Sequence, residues 1–419
     1  MFKKSEFIKT VITTLLCNSL VWYEYALYGH LIGTINLLFF PSSDPRLQLI
    51  SSFGTFAVGF LMRPVGAIFF GHVGDKYGRR IGVLLSIIMM FVPVALLAIL
   101  PTYHTAGISA VIMLVLVRML QGFALGGEVG NVLFLIECSP PKYRGFFGSF
   151  EVLSAIIGAA MSSVVVLICN ALISQEEFLI WGWRIPFIAG TAIGIIGSIF
   201  RACSGETPVF ENSKKTVSLP LATLFRKYKK ALFVAIGIDS LEETSLYLFL
   251  VFLNVYFTTK MGFSDITFEL IHLLFLGLLG IFTLLAALFS DFFGRKLMLL
   301  IAAVSSIIFA YPIFLLMESG LFPCIIIAKT LFVLIVGLSL GPVSTAVYEI
   351  LPVEVSYTGL ALSRNISSAL FGGMAPAFAV LLISASGTSS AGAIPLIIVG
   401  LVTLFSLCFY KPVEKFEQF

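Results

Sequence analysis

The segment Gly71-His-Val-Gly-Asp75-Lys-Tyr-Gly78-Arg79-Arg80 has a second copy in Asp291-Phe-Phe-Gly294-Arg295-Lys296, and each matched position, from Asp75/Asp291 to Arg80/Lys296, lies 216 residues from its twin. In a chain of 419 residues that spacing means the sequence is written roughly twice. Both copies fall between long apolar runs, so each reads as a short charged turn joining two membrane-crossing helices. A fold that obeys this pattern is two related halves, and parallel repeats of this kind place their polar chemistry near the bilayer midplane.

Composition names the solvent. With 59% hydrophobic and 11% charged residues and a mean hydropathy of +1.05, a water-soluble domain of this length would lack the polar surface to cover itself. Apolar runs of about 20 residues, enough to cross a ~30 Å hydrocarbon core, recur along the chain. Twelve are legible, near 11–38, 48–73, 81–100, 108–137, 147–172, 183–202, 230–257, 267–290, 297–317, 321–348, 358–384 and 391–411. None alternates with period two, which excludes a barrel and leaves helices. The expectation is an all-α membrane protein of twelve transmembrane helices in two pseudo-symmetric six-helix bundles.

Lys and Arg fix the orientation, because they accumulate in loops that stay cytoplasmic. One set of connections holds Lys3, Lys4, Lys9, Lys76, Arg79, Arg80, Lys142, Arg144, Arg201, the run Arg226 to Lys230, Arg295, Lys296 and Lys411, whereas the opposite set holds only Arg46, Arg184 and Lys260. Both termini and both repeated turns are therefore expected in the cytoplasm. The net charge of +4 follows from this asymmetry and calls for no nucleic-acid partner. The first run, too long for a signal peptide, holding Glu24 and lacking a small-residue cleavage site, is expected to remain in the protein. Residues 204–229, with Pro208, Pro220 and the basic run, read as a linker between an N-terminal bundle at 1–203 and a C-terminal bundle at 230–419. The basic run reads as an ordinary positive-inside loop in preference to a lipid-binding patch. The six cysteines are scattered, with no Cys-x-x-Cys, and suggest neither a disulfide framework nor a metal site.

The repeated turn has to be short and tight. Gly78 and Gly294 permit the backbone angles this needs. Arg79, Arg80, Arg295 and Lys296 anchor the inner face, and Asp75 and Asp291 are placed to meet a cation or a helix N-terminus. A second echo pairs Glu137-Cys-Ser-Pro140 with Glu349-Ile-Leu-Pro352, followed by Arg144-Gly145 and Thr358-Gly359. Each Pro ends a helix, and each Glu is poised to pair with Arg144 or with the repeated turn. All eleven of these residues, Asp75, Gly78, Arg79, Arg80, Glu137, Arg144, Asp291, Gly294, Arg295, Lys296 and Glu349, are expected to form conformation-dependent gates.

Charges inside the spans are the other strong signal, since each costs about 2.5–3.5 kcal/mol at a helix centre. They are Glu24, Arg63, Arg118, Glu128, Asp239, Glu242, Glu243, Lys329 and Arg364, concentrated in the first, fourth, seventh and tenth spans, which repetition makes equivalent. At 1.5 Å per residue, Glu24, Arg118 and Glu243 lie roughly 15–20 Å in from their helix entries. A pairing of Arg118 with Glu24 or with the seventh span would lower the cost of both partners. Asp239, Glu243, Tyr247 and Asn254 recur near one face of the seventh span. Three carboxylates within five residues cannot all stay ionised cheaply, so one is expected to hold a proton near neutral pH. Glu24, Arg118, Glu128, Asp239, Glu242 and Glu243 are thus candidates for proton coupling. Arg63, Lys329 and Arg364, with Tyr28, Gln121, Tyr247 and Asn254, are candidates for contact with a solute. A static ion-pair network is the competing reading for any one of them, and His30, His72, His104 and His272 read individually as structural.

Gln121-Gly122-Phe-Ala-Leu-Gly126-Gly127-Glu128 places small residues four apart, as close helix contacts require. No strand precedes it, and the chain has no G-x-G-x-x-G, Walker lysine, H-E-x-x-H or G-x-S-x-G motif, so an enzyme is not indicated.

Several segments together resemble the major facilitator superfamily, and within it the bacterial metabolite:proton symporter family of proline/betaine, α-ketoglutarate, citrate and shikimate carriers. They are Trp22-Tyr-Glu-Tyr-Ala-Leu-Tyr28-Gly29, Arg63-Pro64-Val-Gly66, Gly71 to Arg80, Arg118-Met-Leu-Gln121-Gly122, Gly126-Gly127-Glu128, Ser139-Pro140, Trp181-Gly-Trp183-Arg184-Ile-Pro186-Phe187, Glu206-Thr207-Pro208 and Phe371-Gly372-Gly373 with Pro376. The resemblance covers nearly the whole chain. It implies that Asp75, Arg79 and Arg144 belong to a cytoplasmic gate, and that Arg118 and Gln121 belong to a motif linked with proton movement. Two departures stand out. Val21 and Glu24 occupy the places before and two after Trp22 where the family has acidic residues, and, as the chain stops soon after the last span, osmotic regulation through the C-terminal coiled coil of some osmosensing members is not expected.

The implied function is secondary uptake of a small carboxylated or zwitterionic metabolite, such as proline, betaine or a dicarboxylate, with protons as coupling ion and no other cofactor. The setting would be a monomer among the lipids of a bacterial inner membrane. Exchange of one metabolite for another on the same fold, and a solute sensor that does not transport, are the alternatives.

Overall fold

The computed structural model describes residues 4–40, 45–213, 217–253 and 265–413, with side chains for 7–40, 58–213, 217–253, 271 and 273–413. Every element among them is helical. The principal helices are α1 (Lys4–His30), α2 (Pro45–Lys76), α3 (Arg79–Ile99), α4 (Ile108–Leu125), α5 (Gly130–Cys138), α6 (Phe150–Leu172), α7 (Ile185–Ala202), α8 (Lys229–Tyr247), α9 (Asp265–Phe293), α10 (Arg295–Glu318), α11 (Phe322–Ile350), α12 (Ser356–Ser367), α13 (Ala375–Ser386) and α14 (Ile394–Cys408). Proline opens α7, α13 and α14, where its missing N–H costs nothing.

Among the described residues, nine helical stretches are long and apolar enough to cross a membrane. Helices also stand at the first, second and seventh expected positions, as α1, α2 and α8 of 27, 32 and 19 residues. These three hold Glu24, Arg63, and Asp239, Glu242 and Glu243.

The chain forms two compact units. One contains Met1–Cys138 and Leu153–Pro220, the other Ser139–Val152 and Leu221–Phe419, so the stretch from the end of α5 to the first turn of α6 clusters with the second unit. The first unit packs Tyr23, Leu27, Tyr28, Phe39, Trp183 and Phe187 into one apolar core, with Trp183 edge-on to both Phe39 and Phe187. In the second, Phe249 stacks on Phe332 and Phe252 lies against Phe314 within a core drawn from α8 to α11, α13 and α14.

Glycine sets the closest helix approach in both units. A Cβ on Gly122 of α4 would overlap the backbone of Gly59 on α2, and one on Gly66 would overlap the backbone of Phe123. The small-residue spacing of the sequence is thus a backbone-to-backbone contact. Gly341 of α11 meets the backbone of Thr283 and Ala287 on α9 in the same manner.

Two features depart from uninterrupted spans. The expected fourth span, 108–137, breaks between Leu125 and Gly130, where Gly126, Gly127 and Glu128 donate i→i−3 hydrogen bonds. The adjacent glycines weaken the helix there and fit under Ala67 and Phe70 of α2. In the second unit, α8 continues into a π-helical turn at Leu248–Phe252 and α12 into another at Ser368–Gly372. Such wide turns re-aim the side chains around them.

Candidate functional site

The buried charges of the first unit gather near the glycine contact. Gln121 of α4 accepts a hydrogen bond from Arg118 at 2.8 Å and donates to Glu24 of α1. The pairing of Glu24 with Arg118 expected from the sequence is therefore bridged by one amide. The Arg118 guanidinium lies 3.7 Å from the centre of the Tyr28 ring, so two residues proposed for different roles, Tyr28 and Arg118, form one stack. One step away, Arg63 of α2 approaches Glu128 at 3.9 Å, and the break after α4 is what presents that carboxylate to α2. All six side chains are buried. Glu24, Arg63, Arg118 and Gln121 line one crevice with Tyr25 and Phe60, with room for about one water molecule.

In the second unit the charges gather on Arg364 of α12. Its guanidinium holds Glu151 at 2.6 Å through one amino group, and through the other it holds Glu242 at 3.1 Å and Ser344 at 2.7 Å. Ser344 of α11 donates in turn to the other oxygen of Glu151 at 3.3 Å. Asp239 hydrogen-bonds Ser363, and Glu243 completes the set of charges acting on Arg364. Glu151, Asp239, Glu242 and Glu243 are all buried, as is Arg364. Glu151 and Glu242 thus share one guanidinium, with Asp239 and Glu243 close enough to act on it.

Tyr247 ends α8 with its ring against Gly372, in the π-helical turn after α12, where Glu243 also approaches. Lys329 of α11 is buried with its ammonium 5.3 Å from the Phe275 ring centre, and it is not among the charges gathered around Arg364. Asn254 lies outside the described residues.

The two repeated turns build matching knots. In the first, Arg79 pairs with Asp75 at 2.5 Å and with Glu137 at 3.5 Å and donates to the Gly74 carbonyl. In the second, Arg295 pairs with Asp291 at 2.5 Å and with Glu349 at 3.3 Å and donates to Ser290. Gly78 and Gly294 precede their helices with φ of +122° and +95°, backbone that favours glycine. Each Glu meets the arginine of the repeated turn, and Arg144 is buried with its carbonyl near the Thr345 hydroxyl.

Each knot has its own outer contacts. Asp291 also accepts from the backbone N–H groups of Gly145 and Phe146 at 2.9 and 2.8 Å, at the start of the short helix Arg144–Gly148, so it meets both a cation and a helix N-terminus. Tyr410 donates to Glu349, and Thr207 donates to Glu137. The Arg80 backbone N–H donates to Glu206, and the Arg80 guanidinium to the Ala202 carbonyl. Burial pushes the Glu206 carboxyl above the usual carboxylate range, while the N–H groups of Thr207 and Arg80 and the charge of Arg79 pull it back. Lys296 is exposed.

Sequence reasoning missed Glu151, which stands in the first turn of a helix, where an acid is ordinary. It also missed Arg201: read there as a topogenic cation, it is fully buried, hydrogen-bonded to Thr14 at 3.0 Å and Asn131 at 3.2 Å, and packed over Phe134. Its place one residue before the end of α7 was the available signal.

The family model for sugar (and other) transporters matches residues 10–220 and 210–417. The glycine betaine/proline/ectoine/pipecolic acid transporter of Dickeya dadantii is 31% identical over 417 residues, covering 96% of this chain and 83% of that protein. The proline/betaine transporter of Escherichia coli K12 is 31% identical over 412 residues, covering 95% and 82%. An inner membrane metabolite transport protein of the same strain is 32% identical over 394 residues, covering 92% and 90%. Among solved structures, a proton:xylose symporter bound to 6-bromo-6-deoxy-D-glucose matches with a TM-score of 0.79 at 15% identity over 97% of this chain and 96% of that one, a likeness of fold alone. The chain therefore belongs to the sugar (and other) transporter family of the major facilitator superfamily, and it is a multi-pass membrane transporter rather than an enzyme.

Proposed function

We propose that this transporter takes up a small zwitterionic or carboxylated metabolite together with protons, exposing its site to each face of the membrane in turn. The observation that carries the reading is the acid gathered on Arg364: Glu151 and Glu242 both hydrogen-bond its guanidinium, and Asp239 and Glu243 lie close enough to act on it. Away from water, like charges at this density disfavour full ionisation, and proton binding is the least costly relief. An acid cluster that is neutralised on one side of the membrane and recharged on the other is what coupling to a proton gradient requires. One proton driven by 100 mV supplies about 2.3 kcal/mol, enough for about fifty-fold accumulation.

The solute class rests on relatives whose names give glycine betaine, proline, ectoine and pipecolic acid. Each is a small molecule with a carboxylate and a cationic or amino nitrogen. In the first unit, Arg118 and Arg63 are the cations that would meet the carboxylate, and Tyr28 is the aromatic face beside them. The knots at Asp75/Arg79/Glu137 and Asp291/Arg295/Glu349 are assigned to gating, because charge pairs of this kind form in one conformation and release in another. Twelve spans with both termini in the cytoplasm, a bacterial inner membrane and a working monomer complete the proposal.

The test is uptake into proteoliposomes of radiolabelled proline, glycine betaine, ectoine and a dicarboxylate, with and without an imposed pH gradient. Accumulation of one of them that requires the gradient supports the reading. Equal counterflow with no response to pH would replace it with exchange, and solute binding without flux would replace it with sensing.

A further inference from the structure

Arg364 is shared by two carboxylates that come from distant parts of the chain. Glu151 lies in the segment 139–152, and Glu242 lies on α8. Each takes a different amino group of the guanidinium, at 2.6 and 3.1 Å, and Ser344 ties the Glu151 side to the Glu242 side by touching both Arg364 and Glu151. One cation thus stands between two acids that cannot both have it fully. We propose that Glu151 sets how tightly the Asp239/Glu242 pair holds a proton, by competing with that pair for Arg364. Glu151 is then a positioning residue of the coupling site. Its consequence for transport rests on the proton-coupled reading above, whereas its test does not.

The sign follows from the neighbours. The charged groups that act on Glu242 are Arg364 from α12, Glu243 and Asp239 from its own helix, and Glu151 from the first turn of α6. Among the described residues, the helices packed on α8 also present hydroxyls: Ser344 from α11, Ser363 from α12 and Thr403 and Ser406 from α14. With no proton bound, Glu151 draws Arg364 away from Glu242 and adds its own negative charge nearby, and both effects favour protonation of the pair. The proton arrives from water and binds a carboxylate oxygen of Glu242 or Asp239. No bond in the protein breaks, and Arg364, which keeps its charge, is then held by Glu151 and Ser344. Neutralising Glu151 removes the repulsion and leaves the guanidinium to Glu242, so the pair should bind its proton more weakly. Because the acids interact, the midpoint belongs to the cluster and not to one residue.

The experiment is an infrared titration of the purified full-length protein in liposomes, following the carbonyl stretch of protonated carboxyl groups. The cluster's band is identified by its loss in the double variant Asp239→Asn/Glu242→Gln. In Glu151→Gln the midpoint of that band should fall by about one pH unit, a tenfold loss in proton affinity, and in Glu151→Asp it should stay near the wild-type value. If Glu151→Gln does not yield folded protein, Glu151→Ala should lower the midpoint in the same direction, because it too frees Arg364 for Glu242. An unmoved or raised midpoint in the variant that folds, or a band that survives the double substitution, overturns the inference. Uptake by wild-type protein that ignores pH would overturn the coupled-transport reading, and the infrared midpoint would still decide this one.

Discussion

The two units hold the same kind of buried charge in different proportion. In the first, Glu24 and Glu128 stand beside two arginines, Arg118 through the Gln121 amide and Arg63 directly. In the second, Glu151 and Glu242 hold Arg364, and Asp239 and Glu243 lie close enough to act on it. The knots at the repeated turns differ less: Asp75/Arg79/Glu137 and Asp291/Arg295/Glu349 carry the same ion pairs. The repeated turn is thus alike in the two units while the interior charge differs, and on the reading proposed above the acids on Arg364 make the second unit the place for the coupling proton.

Removing the shared cation should give the largest effect. Arg364→Gln takes the guanidinium from Glu151 and Glu242 and its charge from the vicinity of Asp239 and Glu243, and should destabilise the protein by about 3–5 kcal/mol, with loss of uptake. Arg118→Gln, which strands only Glu24 behind an amide, should cost clearly less. Thermal unfolding in detergent ranks the two, and equal losses would erase the contrast between the units.

Next comes the second knot. Asp291→Asn weakens an ion pair and its acceptance from the Gly145 and Phe146 N–H groups, for a loss of about 1.5–3 kcal/mol in the state that contains it. If that state is one station of the transport cycle, transport rate should fall several-fold while equilibrium solute binding changes little. Unchanged initial rates in vesicles would remove Asp291 from the gate.

Smaller still is the stack in the first unit. Tyr28→Leu deletes the ring under Arg118 and should cost about 0.5–2 kcal/mol, read as weaker solute binding, whereas Tyr28→Phe keeps the face and should stay near wild type. A loss as large in the Phe variant would assign the effect to the hydroxyl instead.

Much of this was legible in the chain because it is local. A turn that repeats Asp, Gly and Arg with a fixed offset specifies its own ion pair at i and i+4, and Gly122 announces a close helix contact by its size. The break after Leu125 was not legible, because Gly126-Gly127 serves equally as a packing stripe and only the neighbouring α2 decides. Glu151 escaped for a different reason. Its partner lies 213 residues away, and nothing within its own helix distinguishes it from a solvated first-turn acid. Arg364 stood out as an intramembrane charge, but its chemistry depends on which carboxylates the fold delivers, and here it delivers an excess of them.

The most direct test of the account is the split between driven and undriven transport in Asp239→Asn/Glu242→Gln proteoliposomes. With the proton site neutralised, accumulation of labelled solute against an imposed pH gradient should vanish while equal-pH counterflow continues. Accumulation that still follows the pH gradient in this variant would contradict the claim that the acid cluster on Arg364 carries the coupling proton.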